Sequence, residues 1–185
     1  MDKLLSEMTL EELWQLFPIF LTEQQKDWSS WYEEEEEYLL TLLPESVKIY
    51  HIGSTSIPHI WAKPIIDILI EADINLFQVI KEQLMNNGYT CMHEDEYQID
   101  FNKGYTTKGF AERVFHLHLK GNGDNDQLYF RDFLTEHIDV AKQYEQLKLF
   151  LSEKYKYNRE AYTNCKTEFI HKYTQIAKQH YGKRY

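Results

Sequence analysis

The residues from His51 to Asp67 have the types and spacing for phosphate or metal chemistry. Gly53 ends a β-prone run, and Ser54 and Thr55 follow it with hydroxyls and backbone N–H groups. A glycine turn of this kind can hold a phosphate. Asp67 then interrupts an apolar, β-branched run. An ionised carboxylate among such neighbours is costly unless it is paired, hydrogen-bonded or metal-bound, so the pattern predicts an anion site beside a functional carboxylate.

A second group with suitable spacing is the pair His116 and His118, which alternate with leucines. Strand alternation places both imidazoles on one face, with Cα atoms about 7 Å apart. That separation allows the two rings to ligate one metal ion or to contact one phosphate. The structural alternatives are hydrogen-bonded core histidines and, for Asp67, pairing with a helix N-terminus or a buried Lys or Arg.

Basic residues near these groups are candidates for anion binding, although each alone is typical of an ordinary surface charge. Lys63 precedes Pro64, Arg113 precedes the histidine strand, and Arg131 and Lys166 lie in segments of helical periodicity. The expected phosphate-binding set is Gly53, Ser54, Thr55, Lys63, Arg113, Arg131 and Lys166.

These side chains need a sheet to position them, and hydrophobic periodicity with turn signals predicts one. Asp67, Leu69 and Glu71 are expected on one face of their strand, opposite the isoleucines between them. The chain reads as an N-terminal helix, a mixed αβ centre and a helical C-terminal third. Strands are predicted over 47–52, 65–70, 89–93, 97–102 and 113–120, a loop over 104–109, and helices over 23–43, 74–87, 125–137, 139–155 and 159–180.

Composition limits the class of protein. The 185 residues are 43% hydrophobic, which predicts a single domain over 1–185. A net charge of −10 argues against a protein that grips a long nucleic-acid backbone. Two cysteines without CxxC spacing imply neither a disulfide framework nor a thiolate metal site. We expect a cytoplasmic protein, because no export signal or membrane-spanning run is recognisable.

With these residues in view, the sequence resembles the GrpB family of the nucleotidyltransferase superfamily, which has a polymerase-β-like palm. The resemblance covers most of the chain, and its pieces are specific in combination rather than singly. It implies an α+β fold, a nucleotidyltransferase-like mixed sheet flanked by helices. The pieces that carry it are His51–Pro58, Ala62–Ile68, His116–His118, Phe130–Leu134, Tyr162-Thr163, Lys166 and Phe169.

The resemblance also implies a reaction, the metal-dependent transfer of a nucleoside monophosphate from a nucleoside triphosphate to an acceptor hydroxyl or phosphate. Asp67 would be the catalytic, metal-binding residue. Such enzymes carry a second acid two positions further along the strand, where this chain has Leu69. His116 and His118 would then complete a site with Asp67 for Mg²⁺, Mn²⁺ or Zn²⁺, and Asp100 is a weaker candidate ligand.

Three functions follow from this resemblance and its departure at Leu69. The first is a nucleotidyltransferase-like enzyme with an unknown acceptor. The second is a non-catalytic module that binds a nucleotide or a coenzyme A-related ligand, since family members are found joined to dephospho-coenzyme A kinase. The third, ranked last, is a metal-dependent phosphohydrolase built on the histidine strand.

Overall fold

The computed structural model describes residues 3–185, which form a five-stranded sheet and helices on both of its faces. The strands are β1 Lys48–Ile52, β2 Ile66–Ala72, β3 Thr90–Glu94, β4 Gln98–Thr106 and β5 Gly109–Gly121. The α-helices are α1 Leu10–Leu16, α2 Asp27–Leu42, α3 Phe77–Asn86, α4 Asp126–Glu136, α5 Ile138–Lys154, α6 Arg159–Asn164 and α7 Thr167–Tyr181. Short 3₁₀ turns occur at Leu5–Glu7, Ser54–Ser56 and Ile74–Leu76.

The sheet is mixed, with strand order β1-β2-β5-β4-β3. Strands β2 and β5 run parallel, and every other neighbouring pair is antiparallel. The parallel pairing sets Asp67 directly opposite His116, and Leu69 opposite His118. The two groups of residues that the sequence singles out therefore lie side by side at the centre of the sheet.

Alternation along β2 divides its side chains between two layers. Ile66, Ile68 and Ile70 are fully buried in the main core cluster, which also contains residues of α2 and α3 such as Leu39 and Ile80. At about 25 cal/mol per Å² of apolar surface, burial of this face is the main stabilising contribution. The predicted division of β2 into two faces is confirmed.

The opposite face of β2 is covered by the C-terminal helices. Leu69 packs with Ile52 and with Leu128 of α4. Glu71 is buried on the same face, and its Oε1 accepts hydrogen bonds from Gly123 N at 2.8 Å and Asn125 Nδ2 at 3.1 Å. Glu71 therefore fixes the turn that leads from β5 into α4.

The observed elements confirm the α+β class and the helical C-terminal third, with two local corrections. The predicted loop 104–109 is mostly strand, because β4 and β5 continue to a tight hairpin tip. The predicted helix 159–180 is two helices, α6 and α7, separated at Cys165 and Lys166. The single-domain assignment stays a prediction.

Within residues 3–185, no helix combines the length and the apolar character needed to cross a lipid bilayer.

Candidate functional site

A cavity of about 590 Å³ lies between the Asp67 face of the sheet and the C-terminal helices. Its walls come from the end of β1, the Ser54–Ser56 turn, strands β2 and β5, and helices α4 to α7. This volume lies in the range of small-molecule sites, which are about 300–1,000 Å³. The fold thus places a ligand-sized cavity over the residues that could do chemistry.

Most of the predicted site residues line this cavity. They come from four separate stretches of the chain, and the parallel pairing of β2 with β5 brings the central ones together. The predicted residues found on the wall are Gly53, Ser54, Thr55, Lys63, Asp67, His116, His118 and Lys166.

Arg113 and Arg131 are a correction, because neither lines the cavity. Arg113 is three residues from His116 along β5, so alternation turns it to the other face, where its Nη1 donates to Glu34 Oε2 at 2.5 Å. Arg131 donates from Nη1 to the backbone oxygen of His51 at 2.9 Å. It therefore anchors α4 to β1 and is engaged in the scaffold rather than in the cavity.

Gly53 brings the backbone of the turn into contact with the Asp67 carboxylate. Its φ of 70° and ψ of −172° lie in a region that is essentially restricted to glycine. A Cβ on Gly53 would lie 2.2 Å from Asp67 Oδ2, far inside contact distance. The glycine is required both for the backbone conformation and for the close approach of the turn to the carboxylate.

Asp67 stands at the end of a chain of polar contacts that leads out of the cavity. Arg159 Nη1 donates to Tyr105 OH at 2.8 Å, and Tyr105 OH lies 2.7 Å from His116 Nε2. His116 Nδ1 lies 3.3 Å from Asp67 Oδ1. Because an ionised carboxylate can only accept, the proton of the neutral imidazole is assigned to Nδ1, facing Asp67, and Nε2 then accepts from the tyrosine hydroxyl.

This contact keeps Asp67 ionised. Burial alone would raise the pKa of the carboxyl, but the hydrogen bond from His116 and nearby positive charges, including Lys63, lower it to about 2. Burial also lowers the pKa of His116, against the opposing effect of Asp67. Near neutral pH the pair is therefore a carboxylate and a neutral imidazole, with 27% of the Asp67 side-chain surface still accessible.

Lys63, Lys148 and Lys166 direct their ammonium groups into the region around Asp67. Lys148 donates to the backbone oxygen of Trp61 at 2.5 Å. Lys63 and Lys166 have no hydrogen-bonding or carboxylate partner among residues 3–185, and their Nζ atoms lie 5.6 and 4.3 Å from the centre of the Tyr162 ring. Burial, reinforced by their mutual repulsion, lowers the pKa of Lys63 and Lys148 to about 7; burial lowers that of Lys166 to about 8.

The expected metal ligands Asp67, His116 and His118 are divided between two separate pairs. His118 Nδ1 pairs with Asp100 Oδ1 at 2.7 Å, whereas His116 pairs with Asp67. In the part of the chain that the structure describes, no three His, Cys, Asp or Glu side chains form a group that could hold a metal ion. Since a divalent cation would also meet the lysines, the residues fit such an ion poorly, and the metal set stays a prediction.

Three important residues were missed by sequence reasoning. Lys148 had a recognisable signal, because it lies four residues after Tyr144 and three before Leu151 on the buried stripe of α5. Because lysine is rarely buried without a partner, a lysine on such a stripe indicates a structural or functional role for its charge. Tyr105 and Arg159 had no signal, since β4 and α6 meet only in the tertiary structure.

We predict that Tyr105→Phe destabilises the protein by about 1–3 kcal/mol, because it leaves a buried arginine donor and a histidine acceptor unpaired. Arg159 Nη2 already has no hydrogen-bond partner within the described chain. Urea unfolding would measure the loss. The ¹⁵N shifts of His116 would report a weakened preference for the Nδ1 proton.

The control for Tyr105→Phe is Tyr97→Phe, which removes the same hydroxyl from a tyrosine that is 62% exposed. Equal stability of both variants would contradict a structural role for the contact chain. An unchanged His116 tautomer in Tyr105→Phe would contradict the role of the Tyr105 hydroxyl in orienting the imidazole.

Comparison with known proteins relates this geometry to a family. A family model described as GrpB protein matches residues 18–176. The UPF0157 protein YqkA of Bacillus subtilis (strain 168) is 38% identical over 157 residues, covering 82% of this chain and 45% of that protein. This chain thus spans less than half the length of that relative.

Solved structures share the fold. The crystal structure of conserved protein GrpB from Enterococcus faecalis has a TM-score of 0.76 at 30% identity, covering 88% of this chain and 99% of that one. A crystal structure of the Cid1 poly(U) polymerase has a TM-score of 0.50 at 11% identity, covering 78% of this chain and 44% of that one. At that identity the second similarity shows the nucleotidyltransferase-like fold alone.

Proposed function

The chain belongs to the GrpB protein family, and on this premise we propose that its cavity binds a small molecule that carries phosphate groups, with a nucleotide as the first ligand class. The observation that carries the proposal is the convergence of three lysines, Lys148 buried and Lys63 and Lys166 half-buried, on a ligand-sized cavity beside Asp67. The surplus of positive charge is the feature that a phosphate-bearing ligand would neutralise.

The half-buried lysines of the cavity lack acceptors for their ammonium protons within residues 3–185. An ammonium group that is largely removed from water and has no partner is unfavourable, and two such groups, those of Lys63 and Lys166, are retained near Asp67. Phosphate oxygens would supply acceptors for the Nζ atoms of Lys63 and Lys166, which no protein group supplies within residues 3–185. Charge-assisted hydrogen bonds of this type are about twice as strong as neutral ones.

The remaining walls suit the organic part of a nucleotide. Phe130, Tyr144 and Tyr162 present aromatic surface to the cavity, and Gln127 adds an amide. Gln127 Oε1 is buried and has no hydrogen-bond partner within the described chain. An aromatic wall with a free polar group can stack a planar ring and recognise its edge. A coenzyme A-related ligand has the same parts and is the second ligand to test.

A second candidate function is transfer of a nucleoside monophosphate to an unknown acceptor. The observation that favours it is the ionised Asp67, placed against the glycine turn on the cavity wall. Incubation with each nucleoside triphosphate and Mg²⁺, Mn²⁺ or Zn²⁺, followed by detection of released pyrophosphate, would test it. Ligand binding without any product would support the binding function alone.

We predict that affinity for ATP falls about tenfold or more between pH 6.5 and pH 9. The lysines that face the cavity have pKa values of about 7 to 8, so they lose their charge as the pH rises through this range. The triphosphate carries its full charge at pH 9, so a loss of affinity there reflects the loss of charge on the protein's lysines. Calorimetric titration at each pH would measure the change.

Three further titrations complete this test. Coenzyme A would replace ATP in one, and adenosine, which lacks phosphate, would serve as the control in another. A titration of Lys172→Met, which removes an exposed lysine of α7, should show the same pH dependence as the unmodified protein. Absence of binding by every phosphate-bearing probe across the pH range would contradict the proposed function.

A further inference from the structure

A nucleotidyltransferase-like site is expected to hold a divalent cation beside its carboxylate, whereas this cavity places three lysines near Asp67. We propose that the cavity binds a di- or triphosphate group in direct contact with Lys63, Lys148 and Lys166, without a metal ion between ligand and protein. This inference rests on the proposed function, because it concerns the same site and specifies how its phosphate-bearing ligand is held.

The carboxylates near the glycine turn are too few to hold a metal-bound ligand. A metal-bound polyphosphate needs acidic side chains to hold the ion against the protein. Asp67 is the carboxylate that lies against Gly53, and its Oδ1 already faces His116 Nδ1 at 3.3 Å. The position two residues further holds Leu69, which is fully buried against Ile52 and Leu128. That position therefore offers no second acid, and Glu71, four residues after Asp67, is engaged by Gly123 and Asn125.

The positive charges of the cavity favour a free polyphosphate over a divalent cation. Each of the three lysines acts electrostatically on Asp67 or on another lysine of the group. A divalent cation added to this group would be repelled by every protonated lysine, whereas a free polyphosphate would be attracted by all of them. A bound polyphosphate would also raise the pKa of the three lysines, so ligand binding and lysine protonation favour each other. The lysine set therefore performs the neutralisation that a metal ion would otherwise provide.

Asp67 would have opposite effects on a ligand held by lysines and on a ligand held by a metal ion. Its negative charge offsets the lysines, and its contact with His116 holds it in place. Once a polyphosphate is bound, the same carboxylate repels the ligand. If a metal ion held the ligand, Asp67 would instead favour binding, because it would be needed to retain the ion. Asp67→Asn therefore separates the two modes by the sign of its effect.

The experiment is a calorimetric titration with inorganic triphosphate and with ATP at pH 7, once with EDTA and once with excess Mg²⁺. We expect binding in EDTA at least as tight as in Mg²⁺, because Mg²⁺ withdraws free polyphosphate from the lysines. We expect Asp67→Asn to bind triphosphate about tenfold more tightly. Asp139→Asn, which removes an exposed acid at the start of α5 and changes the net charge equally, should leave the affinity unchanged.

Each outcome separates the inference from the function beneath it. Binding that requires Mg²⁺, or that Asp67→Asn abolishes in a folded protein, would overturn the metal-free mode and leave phosphate binding intact. Failure of both probes in both buffers would overturn the proposed function as well. The comparison of EDTA with Mg²⁺ uses the unmodified protein, so it decides the question even if Asp67→Asn does not fold.

Discussion

Gly53→Ala is expected to lower the free energy of unfolding by about 3–5 kcal/mol, an unusually large loss for the addition of one methyl group. The new Cβ would lie 2.2 Å from Asp67 Oδ2, so either the turn or the carboxylate must move. The backbone conformation of Gly53 adds a separate penalty for any residue with a side chain. Urea denaturation followed by circular dichroism would measure the total.

Two other glycines allow the clash to be separated from the backbone penalty. Gly182 has a similar conformation, with φ of 62° and ψ of −143°, and a Cβ there would meet no atom within 4 Å. Gly123 has a φ of 89° in an internal turn and also has open space. Gly182→Ala and Gly123→Ala should each cost about 1–2 kcal/mol. A loss at Gly53 no larger than these would contradict the close packing of turn and carboxylate.

The part of the site that lies on neighbouring strands was predictable from sequence. Alternation places Asp67 on one face of β2 and His116 with His118 on one face of β5. Such local periodicity needs no knowledge of distant contacts. It required only that these two strands be neighbours, a condition that the sequence left open and that the parallel pairing of β2 with β5 meets.

The partners of those side chains could not be predicted in the same way. Asp67 is held by a contact chain through Tyr105 and Arg159, which belong to β4 and α6. These elements are distant in sequence, and nothing in either segment specifies that they meet. The expected grouping of His118 with Asp67 illustrates the difficulty, because alternation permits it while Asp100 on the adjacent strand pairs with His118 instead.

The charge of the cavity was also only partly predictable. Lys63 and Lys166 were recognised as candidates, but so were Arg113 and Arg131, which lie elsewhere. Basic residues outside regular apolar patterns look alike in a sequence, because exposure is decided by tertiary packing. Lys148 was the exception, since its place on the buried stripe of α5 identifies it. The site is thus recognised by which lysines are buried rather than by how many the chain contains.

Replacing two of these lysines should change stability and binding in opposite directions. We predict that Lys63→Met/Lys166→Met raises the free energy of unfolding at pH 6.5 by about 1–4 kcal/mol, because it removes two half-buried charges without partners and keeps their volume. The same variant should bind ATP about 100-fold more weakly, since two charge-assisted contacts to phosphate are lost.

The pH dependence of the stability gain identifies its cause. Burial lowers the folded-state pKa of Lys63 to about 7 and that of Lys166 to about 8, from 10.5. Between these values and 10.5 the unfolded chain binds more protons than the folded chain, so the stability of the unmodified protein rises with pH. Its penalty relative to the variant is full below pH 7 and disappears near pH 10.5. The gain should therefore shrink as the pH rises from 7 to 10.

Urea unfolding and calorimetric titration of the same samples would measure both effects. Lys172→Met is the control, since it removes an exposed lysine of α7 and should change neither stability nor affinity appreciably. A double variant that is less stable than the unmodified protein at pH 6.5 would show that the two lysines are satisfied within the fold. A double variant that keeps its ATP affinity would place the phosphates elsewhere. The predicted combination, more stable and unable to bind, is expected only if the lysines are buried at an energetic cost that the ligand offsets.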